Sequence, residues 1–300
     1  MNINQLETLV AISKTLSFRR AGEVLNLTQP AVSAQIKSLE DEFQTVLIDR
    51  NQPVTLTDSG TLFLEHAERI LEQVEELRQR LSDLNDTPQG HIQLGTTISI
   101  AIQILPRVLS YFQDQYPLIK TSIHSMPSTQ IMESVENGLI DIGITCLYEK
   151  KPTLETAVLY YDTYELVVSP SHPLASAAHV PIDSFKNLPL IMLSTETFGR
   201  QVIDRVFAEH DIAPHIVMEL SSSEEVKRMV ELNLGAAIIS KSTMMKELKL
   251  GTLKILKVDE LDTSHPVGVV YKAGRYLNSA QRKFLNDLKG MPEDQFTGSE

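Results

Sequence analysis

Residues 17–40 read SFRRAGEVLNLTQPAVSAQIKSLE, and no other stretch narrows the possible folds so far. The spacing predicts two short helices joined by a turn. Ser17 can cap the first helix, its hydroxyl accepting an amide hydrogen that the first turn leaves without a carbonyl. Asn26 suits the left-handed position just past that helix. Thr28 can cap the second helix, and Pro30 is tolerated in its first turn, where amides have no intrahelical acceptor. Phe18, Ala21, Val24 and Leu25 predict an apolar face on the first helix, and Val32, Ile36 and Leu39 one on the second. The opposite face of the second carries Gln29, Ser33, Gln35 and Lys37, which can reach base edges or phosphates. An ordinary helical hairpin with a polar outer face has the same pattern, so the flanks must decide.

Before the pair, Ile3, Leu6, Leu9, Val10 and Ile12 predict another helix. After it, Val46, Leu47 and Ile48 favour strand, Asn51 to Pro53 a turn, and Val54 to Thr57 a second strand. Three helices and a small β-wing make a winged helix-turn-helix. The motifs Ser17-Phe18, Thr28-Gln29-Pro30-Ala31-Val32-Ser33, Leu39-Glu40 and Leu56-Thr57 occur in this order, and the chain resembles the LysR-type transcriptional regulators. The match is strong across residues 3–72 and continues more weakly to about 290. The resemblance implies Gln29, Pro30, Ser33 and Gln35 at a DNA groove beside the cap Thr28, with Arg19, Arg20, Lys37 and Arg50 near the backbone. The chain departs from the family pattern at Gln44, where Gly is usual, at Ile48, where an aromatic is usual, and in its short wing, where basic residues are usual.

The net charge of −12 stands against a DNA-binding reading, which expects a basic footprint. Residues 1–58 hold five Lys and Arg against seven Asp and Glu. Position offsets the count: Arg19, Arg20 and Lys37 lie on the two helices that would approach a duplex. One such head should bind weakly, so linked copies are expected. The next segment supplies the link. Phe63, Ala67, Ile70, Val74, Leu77, Leu81 and Leu84 alternate at spacings of four and three, the period of a coiled-coil seam. A helix packed on its own chain would show the same stripe. A two-fold dimer would present two recognition helices to a pseudo-palindromic site.

Beyond residues 87–90, TPQG, the rhythm becomes strand, helix, strand, helix, strand, predicting a parallel sheet with helices on both faces. A second such unit follows, and residues 266–271 predict a strand returning to the first. The expected organisation is α/β: a winged helix-turn-helix over 1–58, a linker helix and hinge over 59–90, and a two-lobed effector domain over 91–290, like the periplasmic binding proteins. Lobe I takes 91–162 and 266–290, lobe II takes 163–265, and 291–300 reads as a flexible tail. Ligands of open α/β sheets sit beyond the carboxyl ends of strands, where helix N-termini supply amides. That rule nominates Thr96, Thr97 and Ser99, then Ser128 and Thr129, then Thr195, Thr197 and Phe198, with Arg200 nearby. Each hydroxyl is also an ordinary helix cap. Two departures fall in lobe II: Asn233 where the family usually has Gly, and Ser240 where Pro is frequent.

No nucleotide-binding or nucleophile-elbow motif occurs, and the histidines lack metal-ligand spacing, so no enzyme, cofactor or metal is expected. Asp141, at the start of an apolar strand, could pair with a buried cation. The single cysteine, Cys146, ends the same apolar run and reads as a buried structural thiol. No apolar run approaches a membrane span and no signal peptide is seen, which points to the cytoplasm. Expected partners are double-stranded promoter DNA, a small-molecule effector such as a carboxylate or other small anion, a second copy of the chain in a dimer or tetramer, and RNA polymerase. The competing reading is a cytosolic ligand-binding or enzymatic α/β protein whose N-terminal helices serve only assembly.

Overall fold

In the computed structural model, capping side chains set the helix boundaries at the N-terminus. Helix α1 (Ile3–Thr15) starts at Asn2, whose side chain accepts from the Gln5 amide while the Gln5 side chain accepts from the Asn2 amide. Helix α2 (Phe18–Leu25) starts at Ser17 and ends at Asn26, which is left-handed with φ 55°. Helix α3 (Gln29–Phe43) starts at Thr28 and ends at Gln44, also left-handed. Their core joins Leu9, Ile12, Ala21, Val32, Ile36 and Leu39 to Leu47 and Ile48. The face predicted for α2 is shifted: Ala21 is buried as expected, but Val24 is exposed and Gly22 is buried in its place. The cause is close approach, since a Cβ on Gly22 would lie 2.6 Å from the Leu27 carbonyl.

The wing is an antiparallel pair, β1 (Ile48–Asp49) and β2 (Thr55–Leu56). It is shorter than predicted, and Val46 is exposed. The Thr57 hydroxyl donates to the Val46 carbonyl at 2.7 Å and accepts from the Gly60 amide at 2.9 Å, so it caps the long helix α4 (Asp58–Ser82) and ties it to the wing. A Cβ on Gly60 would stand 1.9 Å from the Leu47 carbonyl oxygen, so this contact requires glycine.

That docking corrects part of the seam. Phe63 packs on the head's own core, with its ring centroid 5.0 Å from that of Phe43, and Ala67 is buried. The first turns of α4 are therefore occupied within one chain. Ile70 and Val74 are half-buried, and Leu77 and Leu81 are exposed. The structure describes residues 1–51, 53–82, 89–258 and 260–297. Leu84, Gln52, Thr87 and Pro88, all used in the sequence reading, lie outside the described residues. The chain divides into the units Met1–Asp86 and Thr87–Glu300.

The second unit contains two sheets. The first is built from β3 (Gly90–Thr96), β4 (Ile119–Ser125), β5 (Ile142–Cys146), β6 (Leu154–Asp162) and, much later, β12 (His265–Lys272), in the order β4-β3-β5-β12-β6. Helices α5 (Ile98–Gln103), α6 (Leu105–Gln115) and α7 (Ser128–Glu136) connect its early strands. The second sheet has the order β11-β7-β10-β8-β9. Its strands are β7 (Tyr164–Val168), β8 (Leu190–Leu193), β9 (Ile216–Leu220), β10 (Ala236–Ser240) and β11 (Lys254–Leu256), with helices α8 (Phe198–Glu209), α9 (Ser223–Glu231) and α10 (Met245–Leu250). Each sheet has a parallel part, as expected, but in the first β12 pairs antiparallel with both β5 and β6, and in the second β7 pairs antiparallel with both β10 and β11. Separate apolar clusters on the two sides of each sheet form four cores.

The chain crosses between the sheets twice, after Asp162 and before His265. At the crossing the Tyr164 amide donates to the Thr263 hydroxyl at 2.8 Å, that hydroxyl donates to the Tyr164 carbonyl at 2.9 Å, and the Tyr164 ring stacks on His265. Helix α11 (Ser279–Gly290) closes the first lobe. The expected flexible tail is corrected: residues Glu293–Thr297 form α12, and Phe296 is buried against Tyr160. One aromatic in a polar segment is enough to anchor this helix, and residues 298–300 of the expected tail lie outside the described residues. Among the described residues no helix is long and apolar enough to cross a membrane.

Candidate functional site

Two surfaces carry chemistry. On the head, the Thr28 hydroxyl accepts from the Ala31 amide at 3.4 Å, which leaves Gln29 and Pro30 exposed at the tip of α3. The exposed side of that helix continues through Ala34, Lys37 and Ser38, with Ser33 half-buried at its margin. Gln35 is elsewhere: its side chain accepts a hydrogen bond from the Thr8 hydroxyl of α1. Arg19 pairs with Glu23 at 3.2 Å, both well exposed. Arg50 pairs with Glu40 at 3.0 Å and lies over the Phe18 ring. Glu40 also accepts the Leu47 amide at 2.9 Å, so the Arg50–Glu40 pair anchors the wing as well as facing solvent. Arg20 and Lys37 are exposed and, among the described residues, pair with no carboxylate. The structure thus gathers Gln29, Pro30, Lys37 and Arg20 at the surface and commits Gln35 and Arg50 to internal contacts. Ala34, which the sequence reading passes over, shares the exposed face because it lies four residues from Pro30 and three from Lys37.

The second surface is a cavity of about 330 Å³ between the two lobes. Of the eight predicted residues, Thr97, Ser99, Ser128, Thr197 and Phe198 line it. Three do not. Thr96 is fully buried in β3 and donates to the Ile144 carbonyl at 3.1 Å, while Thr129 and Thr195 point to solvent. Arg200 also turns away, donating to the Leu193 carbonyl and pairing with Asp204 and Glu219. Thr97 and Thr197 are helix caps as well as lining residues, accepting from the Ile100 and Arg200 amides at 3.4 and 3.3 Å. Ser222 caps α9 in the same way. Helix α7 differs: no side chain caps it, and the buried Ser128 stands at its start. Its first-turn amides remain available to a ligand.

The crossing strands supply residues that the sequence reading misses. Tyr160, Asp162, Tyr164, Ser240, Ser242 and His265 all reach the cavity. Asp162 receives four hydrogen bonds: from the Thr163 amide at 2.8 Å, the Ser242 amide at 3.3 Å, the Ser240 hydroxyl at 2.6 Å and the Ser242 hydroxyl at 2.7 Å. Burial raises the Tyr160 and Tyr164 hydroxyls well above their ordinary pKa, so both stay protonated. Cys146 is half-buried in the cavity wall, and desolvation with the nearby Asp162 carboxylate pushes its thiol up to about 12. A thiol held protonated is a poor nucleophile. The lining contains the carboxylates of Asp162 and Glu196 and, among the described residues, no Lys or Arg. Across the mouth, Ser99 lies 3.3 Å from Ser223 and Gln103 donates to Glu224 at 2.9 Å. Away from the cavity, Asp141 pairs with Arg275 at 3.2 Å, which gives that carboxylate the cation its sequence context anticipates.

Residues 3–61 match the family model described as bacterial regulatory helix-turn-helix protein, lysR family, and residues 85–291 match the LysR substrate binding domain. A probable RuBisCO transcriptional regulator of Phaeodactylum tricornutum is 30% identical over 299 residues, covering 97% of each chain. Among solved structures, a full-length variant of OxyR from Pseudomonas aeruginosa aligns with a TM-score of 0.73 at 18% identity, over 98% of this chain and 99% of that one. The regulatory domain of Synechocystis CcmR in complex with 2-PG aligns with a TM-score of 0.62 at 24% identity, over 67% of this chain and 96% of that one. At such identities the structural likeness speaks for the fold alone.

Proposed function

The chain belongs to the LysR family of transcriptional regulators, and on that premise we propose which of its residues perform the two recognitions. The family pairs a DNA-binding head with an effector-binding domain. On the head, Gln29, Pro30, Ser33 and Ala34 read a major groove, Arg20 and Lys37 contact phosphates, and Arg19 and Arg50 assist where their carboxylate partners release them. The Ala34 methyl suits a thymine methyl contact. A homodimer, or a dimer of such dimers, joins the heads through the exposed Leu77 and Leu81 end of the seam, with RNA polymerase as a further partner in the cytoplasm. The protein performs no reaction of its own.

The effector is a small anion at the start of α7. The observation that carries this reading is the uncapped N-terminus beside the buried Ser128, in a cavity where the other lining α-helices, α5, α8 and α9, have their own caps. The anion is held by amides and hydroxyls, since no cation among the described residues lines the cavity. Footprinting of the promoter upstream of the protein's own gene tests the head: wild type should give salt-sensitive protection, lost with Gln29→Ala plus Ser33→Ala. Mobility shift tests the cavity: Thr97→Val or Ser128→Val should abolish the ligand response while DNA binding persists, and a full response in both refutes the assignment.

A further inference from the structure

Hydrogen-bond donors and acceptors are unevenly distributed around the cavity. The α7 side offers donors. The floor, where the strands cross between lobes, offers the opposite. Ser240 and Ser242 each direct a hydroxyl at Asp162, at 2.6 and 2.7 Å. A carboxylate only accepts, and the two hydroxyls lie 3.0 Å apart, so both serine protons are held within this trio and the serines present lone pairs to the cavity. His265 Nδ1 lies 2.9 Å from the Thr263 carbonyl, which also only accepts. The ring proton therefore sits on Nδ1, and in the neutral ring Nε2 is an acceptor. The Tyr160 hydroxyl, beside Asp162 and Ser242, is buried and makes no hydrogen bond of good geometry. A buried polar group left unsatisfied costs stability and is kept where something else satisfies it.

We propose that this floor is a specificity subsite for a hydroxyl group, so that the effector is a hydroxylated small acid rather than a plain carboxylate or an amino acid. A hydroxyl fits both halves of the floor: it accepts from Tyr160 and donates to His265 Nε2 or a serine oxygen. An ammonium fits poorly. The Asp162 oxygens are already occupied by four donors, so an ammonium at the floor would have to displace one of these hydrogen bonds rather than meet a free acceptor. Tyr160 and His265 belong to the first lobe and Ser240 and Ser242 to the second, so a ligand hydroxyl that accepts from Tyr160 and donates to a serine oxygen bridges the lobes and favours the closed cavity. This inference rests on the anion reading of the α7 end.

Calorimetric titration and thermal melting of the full chain test it with matched probes: glycerate against propionate, 4-hydroxybutyrate against butyrate, gluconate against hexanoate. At least one hydroxylated member should bind about tenfold more tightly than its partner. Tyr160→Phe should erase that preference and, by removing the orphan hydroxyl, raise the unliganded Tm by about 2–4 °C. Ser242→Ala should also narrow the preference. Equal binding within every pair, or a preference untouched by both variants, overturns the inference while leaving the anion reading intact. No binding by any probe overturns the anion reading and the inference with it.

Discussion

On the proposed reading the head and the interlobe cavity both meet an anion, and they do it with opposite chemistry. The head sets Arg20 and Lys37 on an exposed face without carboxylate partners among the described residues. The cavity has no described Lys or Arg in its lining and presents hydroxyls and the first-turn amides of α7. The difference follows from solvent. A cation on a surface keeps its hydration until a phosphate replaces it, and the released counterions add to binding. A cation enclosed with no partner pays a desolvation penalty that would distort the empty site. The buried carboxylate that the cavity does hold, Asp162, is surrounded by four donors. The proposal therefore expects recognition outside to be electrostatic and salt-dependent, and recognition inside to be a matter of directed hydrogen bonds.

The sharpest way to break this contrast is to remove the buried charge. Asp162→Asn replaces an oxygen that accepts two serine hydroxyls with an amide that donates, and hydrogen bonds to charged groups contribute about 1.5–3 kcal/mol each. Partial rescue by hydroxyl rotation leaves an expected loss of about 2–3 kcal/mol of stability, measured by denaturant unfolding. A variant as stable as wild type would show that Asp162 does not hold the crossing together.

A smaller effect is expected on the head, and it should appear in slope rather than stability. Arg20→Gln with Lys37→Gln should flatten the dependence of log affinity on log salt by about one per lost phosphate contact, read by fluorescence titration of promoter DNA. Effector affinity in the same protein should be nearly flat across the same salt range. Parallel salt slopes for the two ligands would mean that the cavity, like the head, works by charge.

The two regions are also unequally legible in the sequence. Caps, left-handed ends and apolar spacing are local, so the helices of the head follow from Ser17, Asn26 and Thr28 within a residue. Strand-end hydroxyls are local too, which finds Thr97, Ser128 and Thr197. The same rule takes in Thr129 and Thr195, because sequence adjacency to a turn does not fix which way a side chain points. The floor of the cavity is invisible to it, since Ser240 and Asp162 are 78 residues apart and meet only through strand crossings. Strand β6 escapes for a related reason: it is an edge strand of mixed exposure, and pairing with β12 defines it more than its own alternation. Phe63 and Ala67 show the limit of periodicity. The stripe is real, but a heptad does not say whether its partner lies in the same chain.

The smallest predicted effect concerns a place where the head departs from its family's pattern. Gln44 adopts φ 51°, the left-handed region where a β-carbon crowds the following carbonyl, and the usual residue there is glycine. Its side-chain amide donates to the Asp41 carbonyl at 2.5 Å, recovering part of the strain. Gln44→Gly should relieve the crowding, at about 1–2 kcal/mol per residue, but it forfeits that hydrogen bond and adds unfolded-state entropy. The expected net gain is about 0.5 kcal/mol in the melting of the head, with DNA affinity unchanged because Gln44 caps the end of α3 opposite Gln29 and Pro30. A destabilised Gln44→Gly head would show that the side-chain cap outweighs the backbone strain. The fixed geometry of the wing would then depend on a polar contact at the left-handed turn that joins it to the recognition helix.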